Sequence, residues 1–384
     1  MGRIIDQNWF DGKFTSTELV VVKILFRRSL PLNLSGIDND ELLSYSAKNG
    51  VAALLYNTLT TENILSNVPE EIRSRLKNEY LRTLVQNTNL LNKAQDINAI
   101  LTENGISPLF LKGILLAPFC YKDPALRPMS DIDLLVPEQD VYRAYDILLN
   151  KGAVRADEIE KDHPANHHMP MIIFKGAPVE VHRFLTPKES KYFIPPDDVF
   201  ARKINWSNRK YTLSGPASPD LFIYMIIHVY YTFIRGGMRL SWMYDFLLMR
   251  EFVDTGSSEF RERVERWEVE YPVCFMLTLL DLLAGKEPSA VEWRGDKKLL
   301  QDISLAAGFL HEQPEDSVLY SYRLIWEQIK NTHGIDNKLK IFRTKLFRRS
   351  DENLLMRLWK LVIRFTGMFY NSIKLNMKRF TSNY

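Results

Sequence analysis

The stretch RPMSDIDLLVP, residues 127–137, sets two aspartates one residue apart in a run that otherwise reads as a buried strand. Ile132, Leu134, Leu135 and Val136 favour a core, whereas Asp131 and Asp133 bring charge to its edge. In a strand, residues i and i+2 share a face, so the two carboxylates point together. Side by side they cost free energy unless a cation neutralises them or one of them binds a proton. A solvated strand end would be the plain explanation, and it stands until a neighbouring element says otherwise.

That neighbour is VEVHRF, residues 179–184, where Val179 and Val181 face one way and Glu180 and His182 the other. A third carboxylate on a second strand makes an oxygen-only cluster, which suits hard divalent cations such as magnesium, with manganese as the other candidate. Two such ions about 4 Å apart can clamp the attacking and leaving oxygens of an in-line phosphoryl displacement. Upstream, FLKG (110–113) places a glycine at a strand-to-helix turn, where backbone N–H groups and the helix dipole favour phosphate. Lys112 adds a cation there, and Arg127 either makes a forked contact to an anion or pairs with Asp131. Taken singly, each is an ordinary residue of a turn or a strand end. Their order on successive elements, Lys-Gly, Arg, Asp-x-Asp, Glu, carries the reading.

The rest of the chain bounds what this constellation belongs to. With 384 residues, 46% apolar and 25% charged, the composition is that of a soluble globular protein with room for two or three domains. Cys120 and Cys274 cannot build a disulfide framework, which predicts a reducing cytoplasm. The N-terminal MGRIIDQNWFDGKF has no apolar h-region, so no signal peptide is expected, and it lacks the Ser or Thr of a myristoylation signal. The longest apolar stretch, LFIYMIIHVYYTFI (221–234), contains His228. It falls short of the roughly 20 residues a bilayer core needs and reads as a buried helix.

Charge is unevenly placed. Residues 336–384 hold twelve Lys or Arg against three acids, while the remaining chain holds 38 basic and 44 acidic residues. The basic tail interleaves its charges with Trp359, Phe365, Phe369 and Tyr370. Three partners suit it: the acidic body of the same chain, an anionic lipid surface, and RNA.

The remaining polar candidates have plainer readings. His163, His167 and His168 in HPANHHMP (163–170) lie near no cysteine, and adjacent histidines rarely share a metal, so a loop at the mouth of the site is expected instead of zinc. His182 shares a face with Glu180, where it orients a carboxylate, touches phosphate or is a satisfied structural histidine. His228, in an apolar helix, reads as a core histidine. Asp245 is expected to cap or pair within a helical region, with a substrate-facing role as the alternative. No Gly-x-Ser-x-Gly elbow or Walker loop is present, which removes support for hydrolase and ATPase readings.

LKGILLAPFCYKDPALRPMSDIDLLV (111–136) resembles the uncharacterised nucleotidyltransferase family of the DNA polymerase β superfamily, in which a Leu-Lys-Gly turn precedes Arg and then Asp-Ile-Asp-Leu-Leu-Val. VEVHRFL (179–185) is similar to that family's later Glu-x-His strand. LFIYMIIHVYYTFIRGGMRLSWMYDFLLM (221–249) resembles its helical continuation with a Trp-x-x-Asp element. The likeness spans roughly residues 45–290, and the same grammar resembles bacterial nucleotidyltransferase toxins. The resemblance implies that Asp131, Asp133 and Glu180 are metal ligands and catalytic residues, that Gly113 forms the phosphate turn, and that Lys112, Arg127 and His182 border the nucleotide. One departure is visible: Gly113 is followed by Ile114 and Leu115, where the toxins have a second glycine and then Ser or Thr, so one phosphate-facing hydroxyl is missing.

The expected fold class is therefore α+β, a small mixed-sheet nucleotidyltransferase core flanked by N-terminal and C-terminal helical regions. The expected divisions are a helical region at 1–103, the α/β core at 104–186, a proline-punctuated connection at 187–218, a helical domain at 219–334 and the basic amphipathic tail at 335–384. The expected activity is magnesium-dependent transfer of a nucleoside monophosphate from a nucleoside triphosphate to an acceptor, with release of pyrophosphate. A small molecule, a sugar, a peptide, a protein and a tRNA end are all open as acceptor. The rival is a catalytically weak or inactive protein of the same fold that binds a nucleotide or a partner. The expected location is cytoplasmic, with a peripheral place at a membrane surface if the tail meets lipid.

Overall fold

The computed structural model describes residues 7–27, 37–157, 166–288 and 297–311, together with the separate positions 329, 334, 335 and 338. The chain divides into two units, Met1–Phe233 with Gly237–Gln313, and Ile234–Gly236 with Pro314–Tyr384. The sheet and the helices packed on it belong to the first unit. His163 and, apart from positions 335 and 338, the basic tail lie outside the described residues.

Helices α1 (Gln7–Asp11), α2 (Ser16–Val22), α3 (Asn39–Lys48), α4 (Ala52–Thr61) and α5 (Glu70–Glu103) come first. Helix α2 starts on a capping box, with the Thr15 hydroxyl accepting from the Glu18 amide and the Glu18 carboxylate accepting from the Thr15 amide. Helix α5 opens on Pro69, Glu70 and Glu71, negative charge where the helix dipole is positive. Its buried face, Ile72, Leu76, Leu90, Leu91, Ala94, Ile97 and Leu101, follows the helical period. Polar Asn87 is buried on the same helix and donates from Nδ2 to the carbonyls of Pro124 (2.6 Å) and Arg127 (2.7 Å). The long helix thereby holds the loop that leads into the two aspartates.

The sheet is built from β1 (Leu109–Phe110), β2 (Ile132–Leu135), β3 (Val154–Arg155), β4 (Ile172–Phe174) and β5 (Ala177–His182), in the order β1-β2-β5-β4-β3. Helix α6 (Gly113–Phe119) follows β1, and α7 (Val141–Asn150) follows β2. Strands β2 and β5 run parallel, and the other pairings are antiparallel, so the sheet is mixed and the α+β expectation holds. Parallel neighbours need a long crossover, which α7 and the β3–β4 excursion supply. Strands β4 and β5 join at Lys175-Gly176, where φ is 48° and 80°. Positive φ at both central residues matches a two-residue hairpin turn to the twist of its strands.

The connection expected to be loop-rich also holds a short helix, α8 (Pro196–Ala201), and a hairpin of β6 (Ile204–Ser207) and β7 (Thr212–Gly215). Its strands are four residues each, and Pro195, Pro196, Pro216 and Pro219 on either side make the whole stretch read as loop. Helices α9 (Ser218–Phe233), α10 (Leu240–Met249), α11 (Ser258–Arg266), α12 (Glu270–Leu283) and α13 (Lys297–His311) complete the unit. Aromatic rings knit them: Phe233 stacks on Phe275 with centroids 4.8 Å apart and meets Phe309 edge-on at 5.9 Å. His228 is half-buried on α9 and not enclosed in the core as its apolar neighbours suggested, its ring 6.3 Å from that of Tyr224. No helix among the described residues is long and apolar enough to cross a membrane.

Because Asn87 satisfies two carbonyls of the 123–130 loop, Asn87→Leu should lower stability by about 1–3 kcal/mol. Urea unfolding measures the loss, and limited proteolysis should cut the variant faster within residues 123–130. An unchanged midpoint would show that the loop is held without Asn87.

Candidate active site

The parallel register of β2 on β5 sets Asp133 opposite Glu180 and Leu135 opposite His182. Alternation then turns the polar side chains of β5 to one face, while Ile132, Leu134, Val179 and Val181 are completely buried. Asp133, Glu180 and His182 each bring one possible ligand atom within 4.8 Å of the others. His182 Nε2 lies 2.9 Å from Asp133 Oδ1 and 3.3 Å from Glu180 Oε2. Lys112 Nζ donates to the same Asp133 Oδ1 at 2.8 Å. Asp131, half-buried at the entry to β2, accepts from the Ser130 hydroxyl at 3.2 Å.

The electrostatics follow from this packing. Burial alone would raise the Asp133 carboxyl, but the Lys112 ammonium and the His182 hydrogen bond hold it well below the usual carboxylate range. Asp131 is placed differently. Burial and the neighbouring negative charges of Asp133 and Glu180 push its carboxyl up, with Lys112 opposing. Burial favours the neutral form of His182, yet hydrogen bonds to Asp133 and Glu180 raise it above the ordinary imidazole value. Asp133, Glu180 and His182 are the residues whose ligand atoms converge, and Asp131 lies outside that group although its carboxyl feels both neighbouring charges. The carboxylate oxygens are the donors a hard divalent ion takes. His182 suits the role of orienting Asp133 better than that of ligating such an ion.

Arg127 turns away from Asp131. Its guanidinium forks onto Asp245 of α10, Nε to Oδ1 and Nη2 to Oδ2, both at 2.8 Å, and the Tyr121 hydroxyl donates to Oδ1 at 2.8 Å. All three residues are buried. The remaining nitrogen, Nη1, lies under Gly113, where a Cβ would come within 2.3 Å of it. Packing therefore favours glycine at 113, while the positive φ of the turn falls on Lys112. The buried negative charge of Asp245 adds to burial in pushing the nearby Cys120 thiol up to about 12.

The structure therefore brings Lys112, Asp133, Glu180 and His182 into contact, keeps Asp131 within their field, and ties Gly113 and Arg127 together on the adjoining turn. His167 and His168 come to the same corner, their rings each 5.5 Å from that of His182. Tyr224 of α9 joins the site's field unannounced by the sequence. Burial and the charges of Asp133 and Glu180 raise its hydroxyl above the ordinary value, with Lys112 opposing. A tyrosine in an apolar helix reads as core, so no sequence signal marks it.

Residues 35–285 match the family described as "Uncharacterised nucleotidyltransferase". No match was found among curated proteins. Among solved structures, the chain is similar to an antigenic nucleotidyltransferase-like protein from Paracoccidioides brasiliensis, at 11% sequence identity and a TM-score of 0.29, covering 52% of this chain and 92% of that one.

Breaking the Arg127–Asp245 pair from one side strands a buried charge, so Arg127→Met or Asp245→Leu alone should cost about 3–5 kcal/mol. The double variant Arg127→Met/Asp245→Leu should recover most of that loss, because neither charge remains. Chemical denaturation of the two single variants and the double one forms the cycle. Additive losses would show that the pair does not act as a unit.

Proposed function

The chain belongs to the family of uncharacterised nucleotidyltransferases, and from that premise we propose that it transfers a nucleoside monophosphate from a nucleoside triphosphate to an acceptor hydroxyl in a magnesium-dependent reaction. The observation that supports this most is the pairing of Asp133 with Glu180 across two parallel strands, with Asp131 beside them. Magnesium held by Asp131, Asp133 and Glu180 would supply charge neutralisation at the reacting phosphate. The remaining work falls to the chain itself. In the proposed reaction the acceptor oxygen bonds to the α-phosphorus, the bond from that phosphorus to the bridging oxygen breaks, and pyrophosphate leaves.

Glu180 is the group to take the acceptor's proton, because its side chain keeps 24% exposure while Asp133 is nearly sealed at 3%. Asp133 is held ionised and oriented by Lys112 and His182. Gly113, with Lys112 and Arg127 at either side of its turn, is the proposed rest for the phosphates. Positioning and fixed charge carry catalysis of this kind.

One observation favours the rival, an inactive protein that keeps the fold. Leu115 is fully buried two residues beyond Gly113, so no hydroxyl serves the phosphates there. The two readings separate on chemistry. Incubated with magnesium, labelled triphosphates and cell extract, the protein should release pyrophosphate and label an acceptor identifiable by mass. Asp133→Asn should lower that release by at least a hundredfold while circular dichroism stays unchanged, and Glu180→Gln should reduce the rate with triphosphate affinity kept. Wild-type turnover in Asp133→Asn would sink the assignment.

A further inference from the structure

Lys112 stands in a backbone conformation that side chains disfavour, with φ 53° and ψ −132°. This lies outside the regions open to most L-residues and is ordinarily left to glycine. A residue stays there only where its surroundings over-determine it, and such strain gathers at functional sites. Here the surroundings are the carboxylates. Lys112 Nζ reaches Asp133 Oδ1 at 2.8 Å, and the two side chains are 16% and 3% exposed. His182 Nε2 approaches the same oxygen at 2.9 Å. One oxygen of Asp133 is thus taken twice by the chain's own donors, and that leaves Oδ2 for anything else.

Charge makes the same point. Asp131, Asp133 and Glu180 against the single ammonium of Lys112 leave two negative charges, which one divalent ion offsets. A second ion would leave a partly buried pocket with excess positive charge. In a low-dielectric site such an excess is unfavourable.

We propose that Lys112 is the site's resident cation: by holding Asp133 Oδ1 it takes the place of a second divalent ion, so that the nucleotide-free protein binds one ion at Asp133 and Glu180, with Asp131 beside them. The proposal rests on the nucleotidyl-transfer reading and adds to it the ion count and the group that sets it. The strained backbone is then the cost of seating an ammonium where glycine would fit without effort.

The test is a titration of the full chain with manganese chloride in the absence of nucleotide, counting bound ions by electron paramagnetic resonance and calorimetry. Ions assigned to the site are those lost in Asp133→Asn. The wild-type protein should bind one. Lys112→Met and Lys112→Gly should bind two, the first at least tenfold more tightly than in the wild type. Glycine suits the backbone at this position, so Lys112→Gly keeps the test open if the methionine variant fails to fold. Two ions in the wild type, or one in a folded variant, overturns the proposal while leaving the metal site standing. Absence of any bound manganese in folded wild-type protein overturns the metal-dependent reading itself, and this proposal with it.

Discussion

The hydrogen-bonded parallel pairing of β2 with β5 is the constraint on which the site depends. It sets Asp133 directly opposite Glu180, a like-charge pair that by itself destabilises a sheet by a fraction of a kcal/mol to about 1 kcal/mol. A slip of one residue would separate the charges, but it would also turn the slipped strand's apolar pair, Ile132 with Leu134 or Val179 with Val181, out of the core. Burying an aliphatic side chain of this size contributes about 1.5–3 kcal/mol, and four of them are wholly buried here. The apolar face therefore wins over the repulsion. Lys112 and His182 then lower what repulsion is left by meeting the Asp133 carboxylate directly.

A second tie runs from this sheet to the helices behind it. Arg127 leaves the loop before β2 and ends on Asp245 of α10, 118 positions further along the chain. A buried pair of this sort adds little stability over an apolar replacement, since desolvation offsets the attraction. Its geometry is specific, however: a planar fork meets a carboxylate in one orientation. Tyr121, at the end of α6, donates to the same carboxylate. The arrangement fixes where α10 meets the Gly113 turn, and it leaves Arg127 Nη1 so close beneath Gly113 that no side chain fits there.

The features legible in the sequence are local ones. The period of two in DIDLL and VEVH places both strands and the shared face of the acids, and Lys175-Gly176 marks the hairpin. Helix boundaries follow from proline, glycine and acidic first turns, as at Pro69 and Gly152. The countercharges are less legible because they depend on distance along the chain. Nothing in RPMSD says whether Arg127 turns to Asp131, four residues on, or to Asp245. Lys112 reads as a phosphate cation by its neighbour Gly113, whereas the fold commits it to Asp133. Tyr224 carries no pattern at all, since the helix around it is apolar on nearly every side.

The same distinction bears on Leu115, which with Ile114 departs from the turn pattern that the sequence otherwise resembles. Read along the chain, it is a missing hydroxyl beside the phosphate turn. In the fold, its side chain packs against the hairpin of β6 and β7: a Cβ on Gly215 would lie 2.4 Å from Leu115 Cδ1 and 3.1 Å from Trp206 Cδ1. Gly215 has no side chain at the spot where Leu115 reaches it, so the two residues are fitted to one another. A serine or threonine at 115 is too short to fill the space that Leu115 Cδ1 occupies beside Gly215, and a gap in a buried contact costs free energy. Leucine at this position answers a packing demand made by β7 of this chain. Its presence therefore weighs less against catalysis than the altered motif alone implies, because the fit to Gly215 accounts for it without reference to the phosphates.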